Sequence, residues 1–90
     1  MTGISAQVSL YPLGQTDIAP AIAAFLRIVD AHRLPHEVGS MSTLLWGEDE
    51  AVFAALREAY AEAAAAGPAV MTVTVSNACP LPSMRGGGAH

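Results

Sequence analysis

The chain has 90 residues, 52% of them hydrophobic, and a formal charge of −4 from eight acids against four arginines and no lysine. That length suits one domain with its own core, the hydrophobic fraction excludes a disordered chain, and no apolar run approaches the ~20 residues of a membrane span. Arg27, Arg33, Arg57 and Arg85 are scattered, so there is no basic patch to neutralise phosphates, and nucleic acids and anionic membranes are not expected as partners.

Met1-Thr2-Gly3 opens the chain without a basic stretch before an apolar one, so no secretory signal is expected and the expected location is cytoplasmic. Cys79, the single cysteine, cannot form an internal disulfide, in keeping with a reducing compartment.

The first element is a strand over residues 4–11. Ile4, Ala6, Val8 and Leu10 alternate with Ser5, Gln7, Ser9 and Tyr11, and a period of two marks a strand with one face on a core. The second face has hydroxyls, an amide and a phenol but no charge, which suits a pocket floor or a sheet contact. Pro12 fits the strand end, having no N–H to donate. A helix follows, with Thr16 or Asp17 as cap, Pro20 in the first turn and an apolar stripe of Ile18, Ile22, Phe25, Leu26 and Val29. Leu34-Pro35 ends it.

Residues 36–47 read as two short strands around a turn at Gly39-Ser40-Met41, the second spanning 42–46 with Leu44 and Leu45 on opposite faces. Glu48-Asp49-Glu50 opens a second helix, with carboxylates where the helix dipole favours them. Its expected buried stripe is Val52, Phe53, Leu56, Tyr60 and Ala63, and Gly67-Pro68 stops it. In a last strand, residues 70–76, Met71, Val73 and Val75 alternate with Thr72, Thr74 and Ser76. Residues 1–79 thus form one domain and 80–90, with Pro82, Ser83 and Gly86-Gly87-Gly88, a flexible tail. The order β-α-β-β-α-β predicts an α+β ferredoxin-like sandwich: a four-stranded antiparallel sheet, the first strand central, with both helices on one face and the other face open.

No catalytic or cofactor motif is complete, so no enzyme activity and no cofactor are expected. His32 and His36 are separated by Pro35 and lack a third ligand, so they read as surface histidines rather than a metal site. Cys79 has no neighbouring histidine to activate it and reads as a structural or pocket-lining thiol. Tyr11 and Trp46 have two readings: packing in a core or interface, or stacking on a flat heteroaromatic ring or a cation. Gln7 and Ser9 divide the same way.

Gln7-Val8-Ser9-Leu10-Tyr11-Pro12-Leu13, Ser42-Thr43 with Gly47 soon after, Val52-Phe53, and Ser76 with Cys79-Pro80 resemble the YkoF-like family that binds thiamine or its hydroxymethylpyrimidine moiety, over residues 4–80. The resemblance implies the ferredoxin-like fold, a role in uptake of these compounds and association with a transporter of thiamine precursors. The candidate ligand-binding residues that it implies are Gln7, Ser9, Tyr11, Ser42, Thr43, Ser76 and Cys79, with Trp46 where related chains carry an acid before the glycine. The namesake type carries two such domains in tandem. A single domain therefore implies self-association, as a homodimer or homotetramer. The aminopyrimidine edge matches neutral amide and hydroxyl partners and the thiazolium cation suits an acidic protein, whereas a diphosphate would require basic residues. Two other readings stand beside this one: a structural or regulatory oligomer without a small ligand, and a small ferredoxin-like enzyme acting through Tyr11.

Overall fold

The computed structural model describes residues 3–14, 16–39 and 42–78. The expected tail, residues 80–90, and Cys79 lie outside them. The elements are β1 (Gly3–Pro12), α1 (Ala19–Ala31), β2 (His36–Val38), β3 (Thr43–Glu48), α2 (Asp49–Ala66) and β4 (Ala69–Ser76). The sheet order is β2-β3-β1-β4 and every neighbouring pair is antiparallel. This is the ferredoxin-like arrangement, with β1 interior.

The alternation in β1 does what the pattern predicts. Ile4, Ala6, Val8 and Leu10 are buried and join Leu45 of β3, Phe25, Ile28 and Val29 of α1, and Val52, Ala55, Leu56 and Ala59 of α2 in one cluster. Residues opposite each other in a ladder point to the same face. The register therefore assigns the second face: Ser5 lies between Trp46 and Ser76, Gln7 between Leu44 and Thr74, and Ser9 opposite Thr72. This open face carries the hydroxyls of both β1 and β4.

The helices depart from expectation in three places. Ile18, rather than Thr16 or Asp17, occupies the N-cap of α1, although Asp17 Oδ1 still accepts the Ala19 amide at 3.1 Å. The buried side of α1 is Phe25, Ile28 and Val29, while Ile18 is exposed. On α2 the buried residues are Val52, Ala55, Leu56 and Ala59, and Phe53 and Tyr60 point outward, 52% and 43% exposed. Small alanines let α2 lie close to the sheet, so the helix turns its two bulky aromatics away from it.

Two backbone features fix the connections. Arg33 stands at φ +58 just past α1, where the Arg33 and Leu34 amides donate to the Asp30 and Val29 carbonyls at 2.9 and 3.1 Å. This is a left-handed helix terminus normally given to glycine. Gly47 has φ +156, and a Cβ there would lie 2.6 Å from Leu34 Cδ2. Leu34 is therefore packed directly on the Gly47 backbone. Among the described residues no helix is long and apolar enough to cross a membrane.

Candidate functional site

The pairing of β1 with β3 stops at Val8 opposite Thr43, whereas β1 continues to Pro12 alongside β4. Residues 9–12 thus have an edge beyond the β2–β3 hairpin. The hairpin closes through the Gly39 amide, which donates to the Ser42 carbonyl at 2.8 Å. Across from that edge, the start of α1 stands off the sheet.

The gap is a cavity of about 390 Å³, inside the range of small-molecule sites. One wall is apolar, from Ile18, Ile22 and Phe25 of the α1 segment, with Val8, Leu10 and Val38 beneath. Ser9 and Tyr11 border the cavity along the unpaired β1 edge, with their side chains on the open face, and Ser42 and Thr43 border it at the hairpin, Thr43 on the helix side. Among the described residues the lining contains no carboxylate, guanidinium or imidazole. It can therefore enclose a flat, mostly neutral ring on apolar carbon, with hydroxyls at its rim. Its described residues offer a phosphate no charged side chain.

The expected site residues separate into two groups. Ser9, Tyr11, Ser42 and Thr43 come together on this cavity. Gln7 is outside its lining but touches it: the Gln7 side-chain amide donates to Ser42 Oγ at 3.1 Å, and both border a shallow depression on the open face with Glu37 and Leu44. Thr43 is on the helix side of the sheet, beside Val8, and is buried. Trp46 and Ser76 lie on either side of Ser5, four residues and about 13 Å along β1 from Ser9. Trp46 is only 8% exposed but stands outside the helix-side cluster. Its indole belongs to the open face, away from the cavity.

Sequence reasoning missed Ile18, Ile22, Phe25, Val38 and Gly39 as lining. The first three sit on a stripe with helical spacing, which signals a core. The available clue was Pro20: a helix that starts with a proline and an exposed Ile18 begins beyond the sheet. His32 and His36 are half-buried rather than free on the surface. His32 Nε2 is 2.8 Å from Glu58 Oε1, joining the two helices, and His36 Nδ1 is 3.8 Å from Asp30 Oδ1. Among the described residues no group of three or more His, Cys, Asp or Glu could hold a metal.

No functionally curated protein matches the chain. Solved structures do. A hypothetical protein from Methanocaldococcus jannascii superposes with a TM-score of 0.79 at 22% identity, covering 84% of this chain and 80% of its own. A domain of unknown function from Bacillus cereus gives 0.72 at 20% identity, covering 83% and 75%. A candidate thiamine biosynthesis/salvage protein from Thermotoga maritima gives 0.73 at 14% identity, covering 82% of each chain. At these identities the likeness establishes the fold. The match that extends beyond the fold is to the model of the YKOF-related family, which spans residues 3–82, and the chain belongs to that family.

Proposed function

We propose that this protein binds thiamine or its hydroxymethylpyrimidine moiety, without catalysis, in the cavity between the start of α1 and the unpaired end of β1. The observation that carries this reading is a cavity lined mainly by aliphatic and aromatic carbon, with Ser9, Tyr11, Ser42 and Thr43 along its border and no charged side chain among the described lining residues. An aminopyrimidine presents ring nitrogens and an exocyclic amine, which Ser, Thr and Tyr hydroxyls can serve as donors and acceptors. Its faces suit Phe25 and the isoleucines. The family membership and the salvage role ascribed to the Thermotoga neighbour support the same ligand class. A diphosphate would meet no cation among the described lining residues, which disfavours the phosphorylated cofactor as ligand.

As part of the same proposal, the protein works in the cytoplasm as a homodimer or homotetramer and serves a transporter of thiamine precursors. A purely structural oligomer is the second reading, favoured by the uncharged β1–β4 half of the open face. Calorimetric titration with thiamine, hydroxymethylpyrimidine and thiamine diphosphate separates the two. The first two should bind, with the diphosphate weaker than thiamine. Absence of heat and of any thermal shift with all three, in a folded oligomer, supports the structural reading, and tightest binding by the diphosphate rejects the cavity. An enzyme would need Tyr11, the titratable member of the lining, to act on bound substrate. Loss of ligand mass over long incubation would reveal that.

A further inference from the structure

The two helices are clasped at one end and parted at the other. At the C-terminal end of α1, His32 Nε2 lies 2.8 Å from Glu58 Oε1. One turn further along α2, Arg27 Nη2 and Glu62 Oε2 are 3.7 Å apart, longer than the roughly 2.7–2.9 Å of a charge-assisted hydrogen bond. Both side chains are more than half exposed, so this pair contributes little to stability and opens at little cost. Beside it the helices leave a second cavity, of about 280 Å³. Leu10 of β1, Phe25 and Ile28 of α1, and Ala59 and Ala63 of α2 give it walls of carbon. Leu10 and Phe25 also line the first cavity and form the partition between the two. Among the described residues, the charged members of the second lining are Arg27 and Glu62, one from each helix.

We propose that this second cavity binds a free apolar α-amino acid of about the size of leucine, its side chain inward, its carboxylate on Arg27 and its ammonium on Glu62. Size and charge both select this occupant. The volume falls just below the roughly 300–1,000 Å³ of drug-sized sites, which suits a small metabolite with one apolar side chain. The carbon walls favour an aliphatic or aromatic group, whose apolar surface leaves water on entry. The mouth carries one charge of each sign. A simple carboxylic acid would pair with Arg27 but set its own charge against Glu62, and a simple amine would do the reverse. A zwitterion placed between the two gives each a partner, replacing one long ion pair with two. The proposal goes beyond the thiamine reading and stands without it, since neither Arg27 nor Glu62 lines the first cavity.

Calorimetric titration of the whole chain with L-leucine tests it. One leucine per chain is expected. Glycine, leucinamide and isocaproate, which lack the side chain, the carboxylate and the ammonium in turn, should each bind about tenfold or more weakly. Arg27→Gln and Glu62→Gln, both at exposed positions, should each weaken leucine binding by about tenfold or more, with circular dichroism unchanged. Ala63→Leu fills the cavity and should abolish leucine binding, whereas Ser42→Ala, in the first cavity, should leave it unchanged. Absence of saturable binding at millimolar leucine overturns the proposal. So does binding of leucinamide or isocaproate as tightly as leucine, or leucine affinity indifferent to both glutamine variants. Leucine binding that survives Ala63→Leu but is lost in Ser42→Ala also overturns it, by placing the amino acid in the first cavity.

Discussion

Ser42 is where the two sides of the sheet communicate. Its hydroxyl accepts from Gln7 on the open face, while the residue lines the cavity. Gln7 is therefore a positioning residue for the proposed ligand, acting through Ser42. Ser42→Ala should weaken thiamine and hydroxymethylpyrimidine binding by about 5- to 150-fold, the cost of 1–3 kcal/mol for one unpaired polar partner. Gln7→Ala should weaken both by less. Trp46→Ala, remote from the cavity, should leave both affinities unchanged to within about twofold if the fold survives; calorimetry on all three variants checks the order. A selective loss of thiamine binding in Trp46→Ala would move the ligand to the open face. Two backbone positions make opposite predictions for stability. Gly47→Ala drives a methyl into Leu34 and should cost about 1–3 kcal/mol. Arg33→Gly removes a left-handed side-chain penalty of about 1–2 kcal/mol against a cost of about 0.4–1 kcal/mol from the greater conformational entropy of the unfolded chain. A small net gain in melting temperature is expected, and a decrease would mean that the Arg33 side chain has a role of its own.

The two phenylalanines show how elements diverge from their sequence signals. Phe25 is 3% exposed and Phe53 is 52% exposed. Phe25→Ala should cost about 3–5 kcal/mol, while Phe53→Ala in the monomer should cost under about 1 kcal/mol; chemical denaturation at low protein concentration distinguishes them. The strands were legible because alternation is a binary signal, and β1 obeys it from Ile4 to Leu10 except at Ser5, which is buried on the second face between Trp46 and Ser76. α2 was legible in extent but not in orientation. Its apolar residues surround it, with alanines at 55, 59 and 63 competing with aromatics at 53 and 60, and size suggested the wrong side. Arg57, between Phe53 and Tyr60 on that side, was the available signal, since an unpaired arginine resists burial. The hydroxyl border of the cavity was legible in β1 and at Ser42-Thr43. The apolar wall was not, because a stripe that lines a cavity has the same periodicity as one that fills a core.

At the scale of the molecule, the open face presents hydroxyls, the Gln7 amide, Leu44, Trp46 and, at its β2 side, Glu37, while β4 presents an uncharged edge at right angles to it. These are separate surfaces, and variants on one should not disturb the other. The mixed outcome of sequence reasoning has a physical cause at this scale too. Strand order follows from topology rules that admit few alternatives, but a cavity arises from a small mismatch, the extension of β1 beyond β3, which no local pattern encodes. The position of β1 has a further consequence for how the molecule is made. Its two neighbours lie far along the chain, and the Ser5 hydroxyl reaches the Ser76 carbonyl across 71 residues. During synthesis, β1 emerges early and waits with one side unpaired until β4 has cleared the ribosome. Loop closure over such a span is slow, and Ile4, Ala6, Val8 and Leu10 remain incompletely covered meanwhile. A fragment ending at Pro68 should bind a hydrophobic dye and aggregate, and adding a peptide of residues 69–78 in trans should restore a folded circular dichroism spectrum. A soluble, cooperatively folded fragment would show that the β2-β3-β1 half can form by itself, and that birth order does not expose this chain to chaperones.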